Sequence, residues 1–181
     1  SMLSNRVSLS SGTHQPNMVL FDIQKDQREG LSALTKQYGL PVMRQASIVT
    51  MRIEQINGIT AEQAAKDSTD SIPERAFKSE IRVTYRDSLT DTEKLIAGKL
   101  GRPVKTSGDT VYISLEQGYA KRMHVKIGDR IIFNVQGMPV PTVIGSLRGV
   151  DWQRVQTNFR IVFPSGVLEA APQFYVLMTR V

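Results

Sequence analysis

Two histidines and no cysteine set narrow limits on the chemistry this chain can carry out. His14 stands in a polar lead-in, and His124 follows Lys121, Arg122 and Met123 at the end of a helical pattern. A Ser-His-Asp triad would have to use His124, and there is no G-x-S-x-G elbow to display a serine. A zinc site fails for want of ligands, because without thiolates only one usable histidine remains. His124 therefore reads as a surface imidazole that helps to end a helix. The carboxylates Asp87, Asp91 and Glu93 lack the ligand spacing of a calcium loop, and short polar side chains of this kind bond their own backbone in turns. Gly98-Lys99-Leu100-Gly101 resembles part of a phosphate-binding loop, but leucine follows the lysine and the preceding glycine is missing. The chain is expected to be no enzyme and to hold neither metal nor cofactor. A hydrolase built on His124 or on the Asp87–Glu93 carboxylates is a remote alternative.

Recognition residues are more plausible than catalytic ones. Arg148, Asp151 and Trp152 lie in Arg148-Gly149-Val150-Asp151-Trp152, where a strand leaves the middle of the chain, and they are the candidate binding residues. Trp152 is the only tryptophan, and it reads first as a largely buried anchor between two lobes. Met43 and Met51 could line a groove, although ordinary core filling is the preferred reading. The net charge of +6 raises the question of nucleic acid. The cations run from Arg6 to Arg180, however, and their densest group is Lys121, Arg122, Lys126 and Arg130. That group sits at a helix end and a turn, where cations are locally favourable, and it lacks interleaved exposed aromatics. No nucleic-acid partner is expected.

The elements that position these residues follow from periodicity. Met18–Gln24 reads as a buried strand. Asp26 to Glu29 has the form of a capping box opening a helix with Leu31, Leu34 and Tyr38 on one face, closed by Gly39 and Pro41. Ala46–Ile56 alternates as a strand up to the Asn57-Gly58 turn. At the other end, Phe159–Phe163, a short helix through Ala170 and Phe174–Met178 form a second β-α-β unit. Two such units can pair into one split, ferredoxin-like sheet, which makes the middle an insertion. Within that middle, Thr60–Lys78 is a polar excursion with a weak helix at Ala61–Lys66. Ile81–Tyr85 and Thr110–Ile113 are strands, and Leu95–Ala97 is a short apolar piece. Ser114 to Gln117 opens a helix with Leu115, Tyr119 and Met123 on one face. Lys126–Asp129 is a tight turn. Arg130–Val135 and Val140–Val150 form a hairpin around Gln136-Gly137, and Pro139 and Pro141 mark the second strand as an edge where it begins.

The whole is 181 residues with 40% hydrophobic residues, enough for one core or two small lobes. Apolar runs such as Met18-Val19-Leu20-Phe21 fall far short of the ~18–20 residues of a membrane span. Ser1–Gln15 is a polar tail without a signal-peptide core, Ser1-Met2 reads as a cloning scar, and the chain is expected to be an excised, water-soluble fragment.

The segment from Tyr112 through Ser114, Glu116, Gly118 and Ala120 to Met123 runs on into Lys126-Ile127-Gly128-Asp129-Arg130-Ile131-Ile132-Phe133. It resembles the S-x-E-x-G-x-A…K-x-G-D signature of extracytoplasmic domains in MacB/FtsX-like ABC-transporter permeases. Pro16–Gln27, Val83–Leu89, Ser146–Trp152 and Asn158–Glu169 are similar to one branch of that family in the same order. Met123 stands where the family usually has leucine, and Thr60–Lys78 has no clear counterpart. The resemblance implies an α+β fold: a porter-like subdomain from residues 16–57 and 157–181, with an inserted, mostly-β Sabre-like lobe at 58–156. It further implies a non-catalytic extracytoplasmic (periplasmic) domain of an inner-membrane permease dimer, driven by a separate cytoplasmic ATPase. Such a domain relays movement and engages a periplasmic protein or a lipid or lipoprotein cargo. The alternative is a periplasmic binding module for an apolar or lipidic ligand.

Overall fold

The structure, a computed structural model, describes residues 7–9, 18–23, 42–67, 72–153 and 158–179. In chain order the elements are β1 (Val7–Leu9), β2 (Met18–Ile23), β3 (Val42–Ile56), β4 (Ile59–Thr60), α1 (Ala61–Lys66), a single 3₁₀ turn (Glu74–Phe77) and β5 (Ile81–Tyr85). There follow β6 (Glu93–Gly98), β7 (Tyr112–Glu116), α2 (Gln117–Arg122), β8 (Arg130–Val135), β9 (Met138–Val150), β10 (Ile161–Phe163) and β11 (Phe174–Thr179). The fold is mixed α and β and rich in strand. The helix expected between Asp26 and Tyr38 lies outside the described residues. Two compact units form, one from Ser1–Ile48, Asp151–Asn158 and Pro172–Val181, the other from Val49–Val150 and Phe159–Ala171. The sequence division assigned all of Ala46–Ile56 to the chain ends, whereas the units part within β3, between Ile48 and Val49.

In the first unit the strands run β1-β2-β11-β3, each antiparallel to its neighbour. Val7–Leu9 falls in the stretch read as polar tail, yet it pairs with β2, Val7 opposite Leu20 and Leu9 opposite Met18. A three-residue Val-Ser-Leu alternation is too short to stand out in a polar sequence. β2 and β11 pair along most of their length, with Met18 opposite Thr179.

The second unit closes on itself. From Val49 onward β3 pairs with β5, β5 with β10, β10 with β7, β7 with β9, β9 with β8, and β8 again with β3. A ring of six strands has no free edges except where a strand outruns its neighbour. Alternation explains its interior: Val49, Met51 and Ile53 from β3 meet Ile131, Phe133 and Val135 from β8, together with Ile113, Leu115, Ile144, Ile161 and Phe163. Phe133 and Phe163 pack edge to face with centroids 5.3 Å apart, a geometry that suits the ring quadrupoles. Met51 is core, as preferred.

Several local readings hold. Asn57-Gly58 and Gln136-Gly137 both have two successive positive φ values, 50° and 80° and 53° and 97°, which makes them the tight hairpin turns whose twist matches the flanking strands. His124 is exposed with φ 59°. Its N–H reaches the Lys121 carbonyl while the Val125 N–H reaches that of Ala120, the paired bonds of a Schellman helix end.

Others are corrected. Residues 164–171 form turns rather than a helix, and β10 lies between β5 and β7 while β11 lies between β2 and β3, so no second β-α-β unit forms. Seven residues separate Pro164 from Pro172, and Gly166 among them, at φ 95°, interrupts a right-handed helix. α2 begins at Gln117, capped by Glu116, whose carboxylate accepts the Gly118 and Tyr119 N–H groups. Ser114 is left in β7. The polar excursion is less loose than expected, since Ile72, Ala76 and Phe77 join the core. Leu95–Ala97 belongs to a full strand, β6.

Candidate functional site

β9 carries Arg148 to the inside of the second unit, where its side chain is wholly buried. Burying a guanidinium is costly unless its donors are used, and here all three nitrogens are. Nε donates to Ser114 Oγ at 2.8 Å, and Nη1 donates to Glu93 Oε2 at 2.6 Å. Nη2 reaches the carbonyls of Ser114, Phe159 and Arg160 at 3.0–3.2 Å. Glu93, at the start of β6, is equally buried. Its carboxylate also accepts both Nη groups of Arg86 at 2.7 and 2.8 Å, and the Thr90 N–H at 2.9 Å. Burial pushes the Glu93 pKa up, but the Arg86 bond and charge, the Thr90 N–H and the Arg148 charge outweigh it and hold the group below the usual carboxylate range. Burial lowers the Arg148 pKa, against the raising effect of the Glu93 charge. A carboxylate held ionised between two guanidinium groups is a poor general acid or base at neutral pH. The cluster clamps β6, β7, β9 and the approach to β10.

Asp151 and Trp152, the other two candidate residues, fall in the first unit while Arg148 falls in the second. Asp151 is exposed, and its Oδ1 accepts the Gln153 N–H at 3.1 Å. Trp152 is 52% exposed. That corrects its reading as a largely buried anchor: β9 ends at Val150, and the turn closed by Asp151 leaves Trp152 outside the strand register that would bury it.

Asp87 accepts the Ser165 backbone N–H at 3.0 Å and, in a short contact, the Ser165 hydroxyl. The one histidine among the described residues, His124, ends α2 on the surface. Among the described residues no three His, Cys, Asp or Glu side chains gather as metal ligands.

The second unit also carries an open groove of about 890 Å³. One wall is the start of β9, including Pro139 and Pro141; Val111, Ile132, Val140 and Val143 supply apolar surface, and Arg130 and Asp109 supply the charge. Sequence reasoning saw the prolines as an edge signal but not the groove, because residues 107–111 form its other side from far along the chain.

No family model matches the chain. It is 27% identical over 165 residues to an uncharacterized ABC transporter permease, YbbP, from Escherichia coli (strain K12). The alignment takes in 91% of this chain and 19% of that protein, so the chain spans about a fifth of the relative's length. A crystal structure of a permease-protein domain from Porphyromonas gingivalis overlays on 83% of this chain and 66% of that one, with a TM-score of 0.42 and 12% identity.

Proposed function

We propose that this chain is a non-catalytic, extracytoplasmic (periplasmic) domain of an inner-membrane ABC-transporter permease of the MacB/FtsX-like type. In this reading the first unit is the porter-like part and the second the Sabre-like lobe. The observation that carries the reading is the pairing of β2 with β11, in which Met18 is the direct partner of Thr179. A segment in which β2 begins beside the end of β11 can be slung between two membrane helices without spanning a long distance. The similarity to a transporter permease, over a stretch that is a small part of that protein, supports the same view. No described helix is long and apolar enough to cross a membrane.

The domain's task is to relay movement. A separate cytoplasmic ATPase drives a permease dimer, and rigid strands carry the displacement outward. β3 suits this role, being 15 residues long and continuous through both units. Asp151 and Trp152 are the exposed residues we assign to partner or cargo contact, with Arg148 anchoring the strand they leave.

Hydrogen exchange on the intact transporter, permease and ATPase together in a lipid disc, tests the relay. Amides of β3 on either side of Ile48 should change protection between the nucleotide-free and ATP-trapped states. Identical exchange in every nucleotide state would remove the relay and leave a binding module for an apolar ligand.

A further inference from the structure

The groove beside Pro139 and Pro141 has a hydrogen-bonding pattern that selects its occupant. Along β9, even-numbered residues bond toward the β8 side, as the Ile144 N–H does to the Asp129 carbonyl. Odd-numbered residues bond away from it, as the Val143 N–H does to the Val111 carbonyl. Pro139 and Pro141 share the parity of Val143, so their carbonyls point to the edge away from β8, where proline offers no N–H. β7 joins that edge only from Val143 onward, and no described strand pairs with it before then. The groove is the gap left where residues 107–111 part from β9.

We propose that this gap binds an extended polypeptide segment carrying an acidic side chain. The two proline carbonyls are acceptors two residues apart, about 6.8 Å along a strand, which is the spacing of every second N–H in an extended chain. A peptide could donate alternate N–H groups to both, forming half a ladder: the carbonyls of those same residues face the proline rings, which have no N–H to give, and keep water in the open groove. An acyl chain would cover these acceptors without pairing them, at the cost of their hydration. Val111, Ile132, Val140 and Val143 give its side chains apolar contact. Charge sets the remaining preference. Arg130 is exposed on the groove, and its guanidinium is unpaired among the described residues. The opposing charge, Asp109, turns back into its own loop, where Oδ2 accepts the Lys105 and Thr106 N–H groups at 2.9 and 3.1 Å. This names a partner class for the domain proposed above and rests on that reading only for its setting. Its test uses the chain alone, so its failure leaves the nucleotide-dependent exchange measurement untouched.

The probe is a capped peptide of alternating valine and serine with one central glutamate, titrated into ¹⁵N-labelled chain. Saturable shifts are expected at the amides of Thr110, Val111, Val140 and Val143. Exchanging the glutamate for lysine, or N-methylating alternate residues of the peptide, should weaken binding about tenfold or more. The Arg130→Glu variant should prefer the lysine peptide. Its fold is checked by the unchanged shifts of core amides such as Phe133. Absence of saturable shifts at the groove would overturn the proposal, as would indifference to peptide charge in both proteins. Shifts at the same amides with phosphatidylglycerol vesicles but not with the peptide would assign the groove to lipid instead.

Discussion

Arg148 and Glu93 meet at 2.6 Å with both side chains wholly buried, although 55 residues separate them in the chain. Neither charge would be stable there alone, since removing one partner of a buried pair typically costs about 3–5 kcal/mol. Arg86 completes the arrangement from the partly exposed side. Glu93→Gln keeps the shape but leaves Arg148 uncompensated, and urea unfolding should show a loss of about 3–5 kcal/mol. Glu93→Gln combined with Arg148→Met should recover part of that loss, because only Arg86, on the partly exposed side, is then left without its carboxylate. A single variant within about 0.5 kcal/mol of the parent, the range of an ordinary surface substitution, would contradict the clamp. The pH dependence has a definite sign. Glu93 is held below its unfolded pKa, so its contribution is complete above that value and is lost as pH falls through the lower folded value. The stability difference between parent and Glu93→Gln should therefore shrink in acid.

Tyr119 gives the opposite window. Burial pushes its phenol up to about 12, with the Arg160 and Arg122 charges pulling the other way. The neutral form belongs to the fold, while the unfolded chain ionises near pH 10. Stability from this group is thus present below pH ~10 and lost between there and about 12, by about 1.4 kcal/mol per pH unit. Tyr119→Phe should flatten the alkaline limb of the stability profile. An unchanged limb would mean that the phenol is open to water.

Features of the fold were legible in the sequence where its causes are local. Asn-Gly and Gln-Gly turns, the Lys126–Asp129 turn and the end of α2 at His124 each depend on a few adjacent residues, and each was readable. The six-strand ring was not. It depends on β10, three residues long, pairing with β5 and β7 from distant parts of the chain. Ser114 satisfied a capping pattern, yet its hydroxyl serves Arg148 instead, and a tertiary partner overrode the local rule. Arg148 was singled out with Asp151 and Trp152 for its place where a strand leaves the middle of the chain; its buried setting depends on Glu93, which the sequence placed only in a polar turn. Trp152 erred the other way, since the general tendency of tryptophan to be buried outweighed its position just past a strand end.

Gly166 and Gly137 separate backbone strain from steric conflict. Their φ values are nearly the same, 95° and 97°. A Cβ on Gly137 would meet nothing within 4 Å, whereas one on Gly166 would run into the Val104 carbonyl oxygen. Val104 is held there by its own N–H bond to the Ser165 carbonyl at 2.9 Å. Gly137→Ala should cost about 1 kcal/mol, the conformational penalty alone. Gly166→Ala should cost more and lower the melting temperature further, because backbone must move as well. Equal losses would show that the loop at Val104 yields freely.

The β2–β11 pairing can be locked covalently, and the chain's lack of cysteine makes the experiment clean. Cα partners in an antiparallel pair lie about 4.5–5.5 Å apart, within the span a disulfide accepts. Met18→Cys with Thr179→Cys should therefore oxidise to a single intramolecular disulfide, seen as a faster non-reducing gel band and a mass loss of two hydrogens. The loop it closes contains nearly the whole chain, so chain entropy alone favours stabilisation of roughly 4–5 kcal/mol, less whatever strain the bond imposes. Moving one cysteine to Val176, which pairs with Ala46 on β3, should abolish the fast band. If Met18→Cys and Thr179→Cys stay reduced under mild oxidant, β2 and β11 are not neighbours at that end. The placement of this segment between two membrane helices would then lose its structural basis.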